Sequence, residues 1–167
     1  FAHCLSIIGV AREIAAITGN DLHLPEVNVE EIETDINEFI DLEVKDSDLA
    51  PRYAGRVIKD VKVKDSPEWL KNRLEAVGIG SVNNIVDITN YILMELGQPL
   101  HAFDYDKLEE GKIIVRRAKS GEELLTLDEE EKDLDEEMLV IADANKPVCL
   151  AGVMGGANSE VTEETTT

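Results

Sequence analysis

The stretch 81–104, SVNNIVDITNYILMELGQPLHAFD, restricts the possible folds of this 167-residue chain more than any other. Its apolar residues recur at the spacing of one face of an α-helix. These residues are Ile85, Ile88, Ile92 and Leu96. The stretch therefore predicts a strongly apolar helix, around which the rest of the chain is expected to serve as scaffold.

A polar loop should follow this helix. Gly97 favours the end of the helix, and Pro99 prevents a restart. The loop carries His101, while Thr89 and Asn90 lie on the helix itself. A histidine after a helix end is more often a structural hydrogen-bonding residue than a catalytic one, and a helical asparagine either faces solvent or bonds a neighbour. Pattern alone thus makes Asn90 and His101 candidates for a site, with a structural role as the alternative.

The composition excludes a chain whose whole surface binds nucleic acid. There are 36 acidic residues against 16 basic ones, which gives a formal net charge of −20. Affinity for nucleic acid depends on basic side chains that neutralise phosphates. A nucleic-acid role would need a local basic patch, a contact with one end only, or basic partner domains. The alternative is that the acidic excess is a solvated surface that aids solubility.

Cofactors, metals and membranes leave no signature in this sequence. Cys4 and Cys149 are too few for a disulfide framework and form no CxxC pair, which fits reduced thiols in a cytoplasmic protein. His3, His23 and His101 are too scattered for a metal site, and no phosphate-binding glycine motif occurs. No apolar run is long enough to span a membrane, and no signal peptide is visible. We expect no metal and no cofactor, and the abrupt ends are typical of an excised fragment.

Two further helices are predicted from residues that favour helix ends. A first helix is expected at 5–18, ending at Gly19, and an acidic connector at 20–37. In a second helix, Ser66 should be the capping residue and Pro67 should occupy the first helical position.

The apolar runs between these helices predict strands. They are expected at 38–44, 52–63, 112–118, 124–127, 132–134, 138–142 and 147–153, with a hairpin turn that lacks glycine at 128–130. Helices and strands do not alternate regularly, so the fold class should be α+β, with mixed or antiparallel sheets packed with helices. Residues 1–161 should form a single compact unit, followed by a disordered tail at 162–167.

Two adjacent glycines, Gly155 and Gly156, follow the last apolar strand in the sequence AGVMGG. Glycines permit a tight turn and can expose backbone N–H groups to a ligand. A turn that needs no ligand is the alternative. The residues alone therefore predict an α+β domain with a candidate small-ligand pocket.

Several motifs together resemble a known family. CLSIIGVAREIAAITG, PRYAGRVI, SVNNIVDITNY, GQPLHAFD, LVIAD and AGVMGG occur in the order and approximate spacing of bacterial phenylalanyl-tRNA synthetase β subunits. The segment resembles their B3/B4 module, the editing domain, over nearly the whole chain. SVNNIVDITNY followed by GQPLHAFD is the most specific pair.

The resemblance implies hydrolysis of mischarged Tyr-tRNA(Phe) in the full-length enzyme. It assigns His101 and Asn90 to catalysis, with His101 orienting the terminal ribose or the attacking water. It assigns substrate binding to Thr89, Pro99, Ala102, Gly155 and Gly156. The implied partners are the 3′ end of the aminoacylated tRNA, the remaining β-subunit domains and the α subunit.

Two features of the family bear on how complete this site is. A further strand is expected after NSEVTEET, with an acidic residue that bonds the tyrosine hydroxyl, and it lies beyond Thr167. The family also commonly has glycine where Glu129 stands. Two alternatives therefore stay open beside editing. One is a catalytically silent scaffold or interaction domain, natural or redesigned, with the same fold. The other is a small-molecule binder that uses the same pocket.

Overall fold

The computed structural model describes all residues 1–167, and they separate into two compact units. Unit 1 consists of residues 1–33 and 64–102, and unit 2 consists of residues 34–63 and 103–167. This differs from the single compact unit expected over residues 1–161. The chain divides because the strand Asp41–Val44 pairs with the strand Lys112–Arg117, which leaves the two later helices between them to pack with the N-terminal helix in a unit of their own.

Unit 1 is a group of three helices, none of which is long and apolar enough to cross a membrane. Its helices are α1 (Ile7–Thr18), α2 (Glu68–Ala76) and α3 (Asn84–Leu96). Both α1 and α2 pack against α3. Gly19 and Gly97 end α1 and α3 in the left-handed conformation that glycine adopts at little cost. The three predicted helices are thus confirmed, and α3 is the common packing partner.

The expected cap of α2 is wrong. Pro67 occupies the N-cap position, and no side chain caps this helix. Ser66 is buried and donates its hydroxyl hydrogen to the Asp87 carboxylate at 2.5 Å. Sequence position made Ser66 a plausible cap, but a buried carboxylate on α3 is a stronger acceptor for its hydroxyl.

Unit 2 is built on a mixed sheet and a hairpin, so the α+β class is confirmed. The five-stranded sheet has the order β1-β2-β5-β6-β7, in which β1 and β2 are parallel and the other pairs are antiparallel. Strands β3 and β4 pair as an antiparallel hairpin. The strands are β1 (Asp41–Val44), β2 (Lys112–Arg117), β3 (Glu123–Leu125), β4 (Glu131–Asp133), β5 (Leu139–Ala142), β6 (Pro147–Leu150) and β7 (Met154–Gly155).

The side chains of the central strands form two apolar clusters. One contains Val115, Ile141 and Val148, and the other contains Val140 and Leu124. Because successive side chains of a strand point to opposite faces, the neighbours Val140 and Ile141 contribute to different clusters. Short 3₁₀ turns complete the two units at Ala2–Cys4, Ile36–Glu38, Tyr105–Lys107, Glu109–Gly111 and Ala157–Ser159.

The strand expected over 52–63 is absent. Residues 52–63 form neither helix nor ladder. Asp60 has a φ of +57°, which breaks an extended run. The Val61 N–H is instead bonded to the carbonyl of Thr166 at 2.9 Å. The alternating apolar pattern reflects half-burial of Tyr53, Val57 and Val61 in an irregular segment rather than membership of the sheet.

The C-terminal residues 162–167 are folded onto unit 2, which differs from the expected disordered tail. Thr165 is 5% exposed, and its hydroxyl donates to the buried Asp104 carboxylate at 2.7 Å. The Thr167 carbonyl accepts the Tyr105 N–H at 3.1 Å. Low sequence complexity suggested disorder, but threonine hydroxyls and backbone groups supply specific bonds here.

The β3–β4 hairpin forms although its turn lacks glycine, because Glu129 adopts the backbone conformation that the turn requires. The Thr126 carbonyl accepts the Glu129 N–H at 2.9 Å, and the Thr126 N–H donates to the Glu130 carbonyl at 3.0 Å. Glu129 has a φ of +63°. This is the left-handed position that glycine usually fills in three-residue hairpin loops.

Replacing Glu129 with glycine should raise the free energy of unfolding of the chain by about 0.5–1 kcal/mol, because glycine avoids the cost of roughly 1–2 kcal/mol that a side chain meets at positive φ. Urea denaturation monitored by circular dichroism would measure the change. The matched control is Glu131→Gly on β4, where glycine should destabilise. Equal destabilisation by both substitutions would contradict the role given to the Glu129 backbone.

Candidate functional site

The seven predicted site residues are divided between the two units. Thr89 and Asn90 lie on α3. Pro99, His101 and Ala102 follow α3 within unit 1, whereas Gly155 ends β7 and Gly156 directly follows it in unit 2. The structure therefore brings five of the seven into one unit and places the two glycines in the other.

The start of α3 is fixed by two asparagines of the SVNNIVD motif. Asn83 is the N-cap, and its Oδ1 accepts the N–H groups of Ile85 at 3.0 Å and Val86 at 2.9 Å. Asn84 pairs with Lys64 in both directions: Asn84 Oδ1 accepts the Lys64 N–H at 2.9 Å, and the Asn84 N–H donates to the Lys64 carbonyl at 2.8 Å. These bonds satisfy helix-end donors that would otherwise lack partners. The most specific motif of the sequence thus builds the helix that carries Thr89 and Asn90.

Asp87 is the residue that the sequence reasoning missed. It is 0% exposed, and its carboxylate accepts three hydrogen bonds, from Ser66 Oγ and Ser81 Oγ at 2.5 Å each and from the Val82 N–H at 2.9 Å. A buried carboxylate is costly unless such bonds compensate it. The signal in the sequence is a charged residue within an apolar helical run, preceded by two serines.

Burial alone would raise the pKa of Asp87, but its pKa is lowered below the ordinary value of 3.8. The hydroxyl groups of Ser66 and Ser81 and the Val82 N–H stabilise the ionised form, and the charge of Lys71 adds to them. Asp87 is therefore an ionised anchor that ties the loop before α3 to the helix.

Thr89 and Asn90 occupy the middle of α3, and both are half-buried. The Thr89 hydroxyl donates to the Val86 carbonyl at 2.7 Å, a bond within the helix. Asn90 lies one turn after Asp87, on the same side of the helix. Thr89 is thus held in a fixed rotamer by its own helix, and its methyl group is the part left for lining a pocket.

His101 lies in the segment after α3, which has no regular secondary structure. His101 is exposed as a residue. Protein atoms around the imidazole nevertheless desolvate it, which lowers the pKa of His101 below its ordinary value of 6.5. Its neighbours Pro99 and Leu100 are exposed, and Ala102 is half-buried. At neutral pH the imidazole is therefore uncharged, the form that accepts a hydrogen bond or a proton.

The two glycines are buried parts of the sheet. The Gly156 N–H donates to the Val148 carbonyl at 2.8 Å, and the Gly155 carbonyl accepts the Leu127 N–H at 3.0 Å. A β-carbon on Gly156 would lie 2.8 Å from Val148 O, Leu124 Cδ1 and Asn158 Oδ1. Close backbone packing therefore explains glycine at position 156, and its N–H group is already engaged within the protein.

Comparison with known proteins gives the same family as the sequence motifs do, over most of the chain. The B3/4 domain family matches residues 49–167. The chain is 56% identical over 162 residues to the phenylalanine–tRNA ligase beta subunit of Syntrophus aciditrophicus, which covers 97% of this chain and 20% of that protein. It is 57% identical over 166 residues to the beta subunit of Geobacillus kaustophilus, with 99% and 21% covered.

One solved structure aligns with almost the entire chain. It is an N-terminal fragment of the phenylalanyl-tRNA synthetase beta subunit from Pyrococcus horikoshii, with a TM-score of 0.49 and 17% identity, and 99% of this chain and 50% of that one are covered. The chain spans about a fifth of the length of the curated relatives that it matches. Because the family match extends over more than half of the residues, the chain belongs to the B3/4 domain family.

Proposed function

We propose that this chain is an editing module that hydrolyses the ester bond of mischarged Tyr-tRNA(Phe). The observation that carries the proposal is its similarity, at more than half of the aligned residues, to proteins named phenylalanine–tRNA ligase beta subunits. The B3/4 family assignment and the uncharged His101 support it. The partners would be the tRNA 3′ end, the other β-subunit domains and the α subunit, in the cytoplasm.

The proposed ester hydrolysis needs no nucleophile from the protein. An aminoacyl ester is already activated, so a water molecule held beside the carbonyl carbon can attack it without a protein nucleophile. The uncharged imidazole of His101 would accept a hydrogen bond from this water or from the terminal ribose. The Asn90 amide would offer a donor and an acceptor for orienting the substrate. Deacylation then releases tyrosine and free tRNA.

Selectivity for tyrosine over phenylalanine depends on one hydroxyl group. A site that bonds this hydroxyl strongly rejects the analogue that lacks it, because buried polar groups would lose their partner. The family's acidic hydroxyl-binding residue is expected beyond Thr167. Tests of the proposal therefore use the full-length protein that contains this chain beside the chain itself.

Replacing His101 with alanine in the full-length protein should slow deacylation of Tyr-tRNA(Phe) by about 100-fold or more, the usual effect of losing a positioned base. Because the pKa of His101 lies below 6.5, the wild-type rate should be flat above pH 6.5 and fall at lower pH as the imidazole is protonated. Release of radiolabelled tyrosine at a series of pH values would measure both effects.

The control for this experiment is His23→Ala, which removes an exposed histidine of the connector. It should leave the rate and its pH profile unchanged. Wild-type rates in the His101 variant would remove this residue from the mechanism. Absence of deacylation by the wild-type full-length protein would instead reject the editing proposal.

A catalytically silent scaffold is the second candidate, and specific contacts favour it. The Thr89 hydroxyl and the Gly156 N–H are engaged within the protein. Asn83, Asn84 and Asp87 of the SVNNIVD motif serve the start of α3. The deacylation assay separates the two candidates, since a scaffold would preserve the fold and leave Tyr-tRNA(Phe) intact.

A further inference from the structure

Helix α1 is apolar on two sides, and one of them lies in solvent. Ile8, Ala11 and Ala15 share one side of the helix and are half-buried, and α1 packs against α3. A second row of aliphatic side chains is between 42% and 82% exposed. We name this row the aliphatic stripe: Ile7, Val10, Ile14 and Ile17. The stripe is aliphatic surface that unit 1 leaves uncovered.

The spacing of the stripe is that of a packing seam. Its members follow one another at intervals of three, four and three residues, which places them along one side of the helix. This matches the period of about 3.5 residues by which a helix packs against a neighbouring helix. Arg12 and Glu13 are the only charged side chains of α1. A helix that is apolar nearly all round normally lies in an interior, so α1 has the sequence of a helix with neighbours on two sides.

The exposed aliphatic surface continues beyond α1 in both directions. Near the start of the helix, Ile7 lines a shallow depression with Val77, which ends α2, and with Met94 of α3. Near its end, Ile14 lines a second depression with Leu22 of the connector. Exposed aliphatic patches of this length are rare on monomeric proteins and mark interaction sites. Four further aliphatic side chains of the connector are exposed: Leu24, Val27, Val29 and Ile32.

The charge next to the stripe restricts what can cover it. Residues 20–33 contain neither lysine nor arginine and carry five carboxylates: Asp21, Glu26, Glu30, Glu31 and Glu33. A second copy of the chain would bring the same carboxylates and another net charge of −20 to the contact, and like charges oppose such association. A surface that covers the stripe should instead combine aliphatic side chains with lysine or arginine at its edge.

The length of the relatives indicates where such a surface comes from. The chain aligns with 20% of the Syntrophus subunit and 21% of the Geobacillus subunit, so about four fifths of each polypeptide lies outside the aligned part. A surface on the same polypeptide is held close to the stripe at a high effective concentration. Permanent interfaces are also more hydrophobic than transient ones, which fits four adjacent aliphatic side chains.

We propose that the aliphatic stripe is a domain interface of the full-length protein that contains this chain. Its occupant is a part of the same polypeptide outside residues 1–167, with an aliphatic surface and basic side chains at the edge. Helix α1 is then enclosed between α3 and this occupant. The inference goes beyond the editing proposal, because no step of ester hydrolysis enters it.

The test measures the accessibility of two engineered cysteines on α1, in this chain and in the full-length protein. Ile14→Cys places a thiol in the stripe. Ala16→Cys is the matched control, because Ala16 is exposed on nearly the opposite side of the same helix. Alkylation by a maleimide is followed by tryptic digestion and mass spectrometry, and cleavage after Arg12 separates both positions from Cys4. Circular dichroism would verify that the variants fold.

Both thiols should react at similar rates in this chain. In the full-length protein, the thiol at position 14 should react more slowly by about 10-fold or more, because it reacts only when the interface opens. The thiol at position 16 should keep its rate. Glu26→Gln combined with Glu30→Gln should partly restore the reaction at position 14, since the basic edge of the occupant loses partners. Ile17→Cys, at the most exposed position of the stripe, repeats the measurement if Ile14→Cys fails to fold.

Equal rates at positions 14 and 16 in the full-length protein would overturn the inference. Protection of position 14 in this chain, together with a dimer mass in sedimentation, would overturn it in favour of a second copy. Protection that appears only after the α subunit is added would assign the stripe to a different chain. No effect of the double glutamine variant would reject the basic edge. Deacylation is a separate readout: a full-length protein that protects position 14 but fails to deacylate keeps the interface and loses the editing function.

Discussion

Replacing Asp87 with alanine is expected to lower the free energy of unfolding by about 3–5 kcal/mol, because a fully buried anion with three donors is removed. Two serine hydroxyls, of Ser66 and Ser81, and the Val82 N–H would lose their acceptor. Each hydrogen bond to a charged group contributes about 1.5–3 kcal/mol, and buried donors without partners add to the loss. Urea denaturation followed by far-ultraviolet circular dichroism, which reports on the helices, would measure this change.

The matched control is Glu75→Ala, which removes an exposed carboxylate from α2. It should change stability by less than about 0.5 kcal/mol. Because the pKa of Asp87 is lowered in the folded state, its contribution should be complete above pH 3.8 and be lost as the pH falls through its folded-state value. The gap between wild type and Asp87→Asn should therefore narrow in acid. Similar losses in the Asp87 and Glu75 variants would refute the anchoring role.

Replacing Gly156 with alanine should cost about 1–3 kcal/mol, the usual penalty for forcing extra atoms into a packed interior. Its β-carbon would meet Val148 O, a backbone atom that cannot move without disturbing β6. It would also meet Leu124 Cδ1, which belongs to the hairpin. Thermal unfolding of the chain would show the loss as a lower Tm.

Gly80→Ala is the control for this substitution, because no atom lies within 4 Å of a β-carbon at that position. It should be neutral or slightly stabilising, since alanine restricts the unfolded chain more than glycine does. A Gly156 variant as stable as the Gly80 variant would show that the sheet yields easily there. A substrate-binding role for the backbone of Gly155 and Gly156 would then explain these glycines better than close packing does.

Features of the fold that depend on local signals could be predicted from the sequence. Helix α3 combines an apolar face with a glycine that supplies the left-handed end, and both signals act within a few residues. The antiparallel hairpin was predicted one or two residues away from its position, because strand pairing depends on the turn. That turn looked weak without glycine, since a side chain at positive φ is uncommon, yet Glu129 adopts this conformation.

Features that depend on distant partners could not be predicted. Ser66 has the residue type and position of a cap, and only the three-dimensional structure shows the carboxylate that takes its hydroxyl. The alternation of residues 52–63 shows which side is half-buried, but it cannot distinguish a ladder from an anchored irregular segment. The roles of Asn90 and His101 in chemistry stay predictions, because they depend on a substrate.

The bonds made by Thr165, Thr166 and Thr167 have a practical consequence for defining an expression boundary. A cut placed before Thr162 on grounds of low complexity would remove the hydroxyl held by Asp104 and the carbonyl that fixes Val61. The irregular segment 52–63 would then lose a hydrogen bond to a residue about a hundred positions away in sequence. A version of this domain shortened for crystallisation or engineering should therefore keep residues 162–167, and any tag should be attached after them.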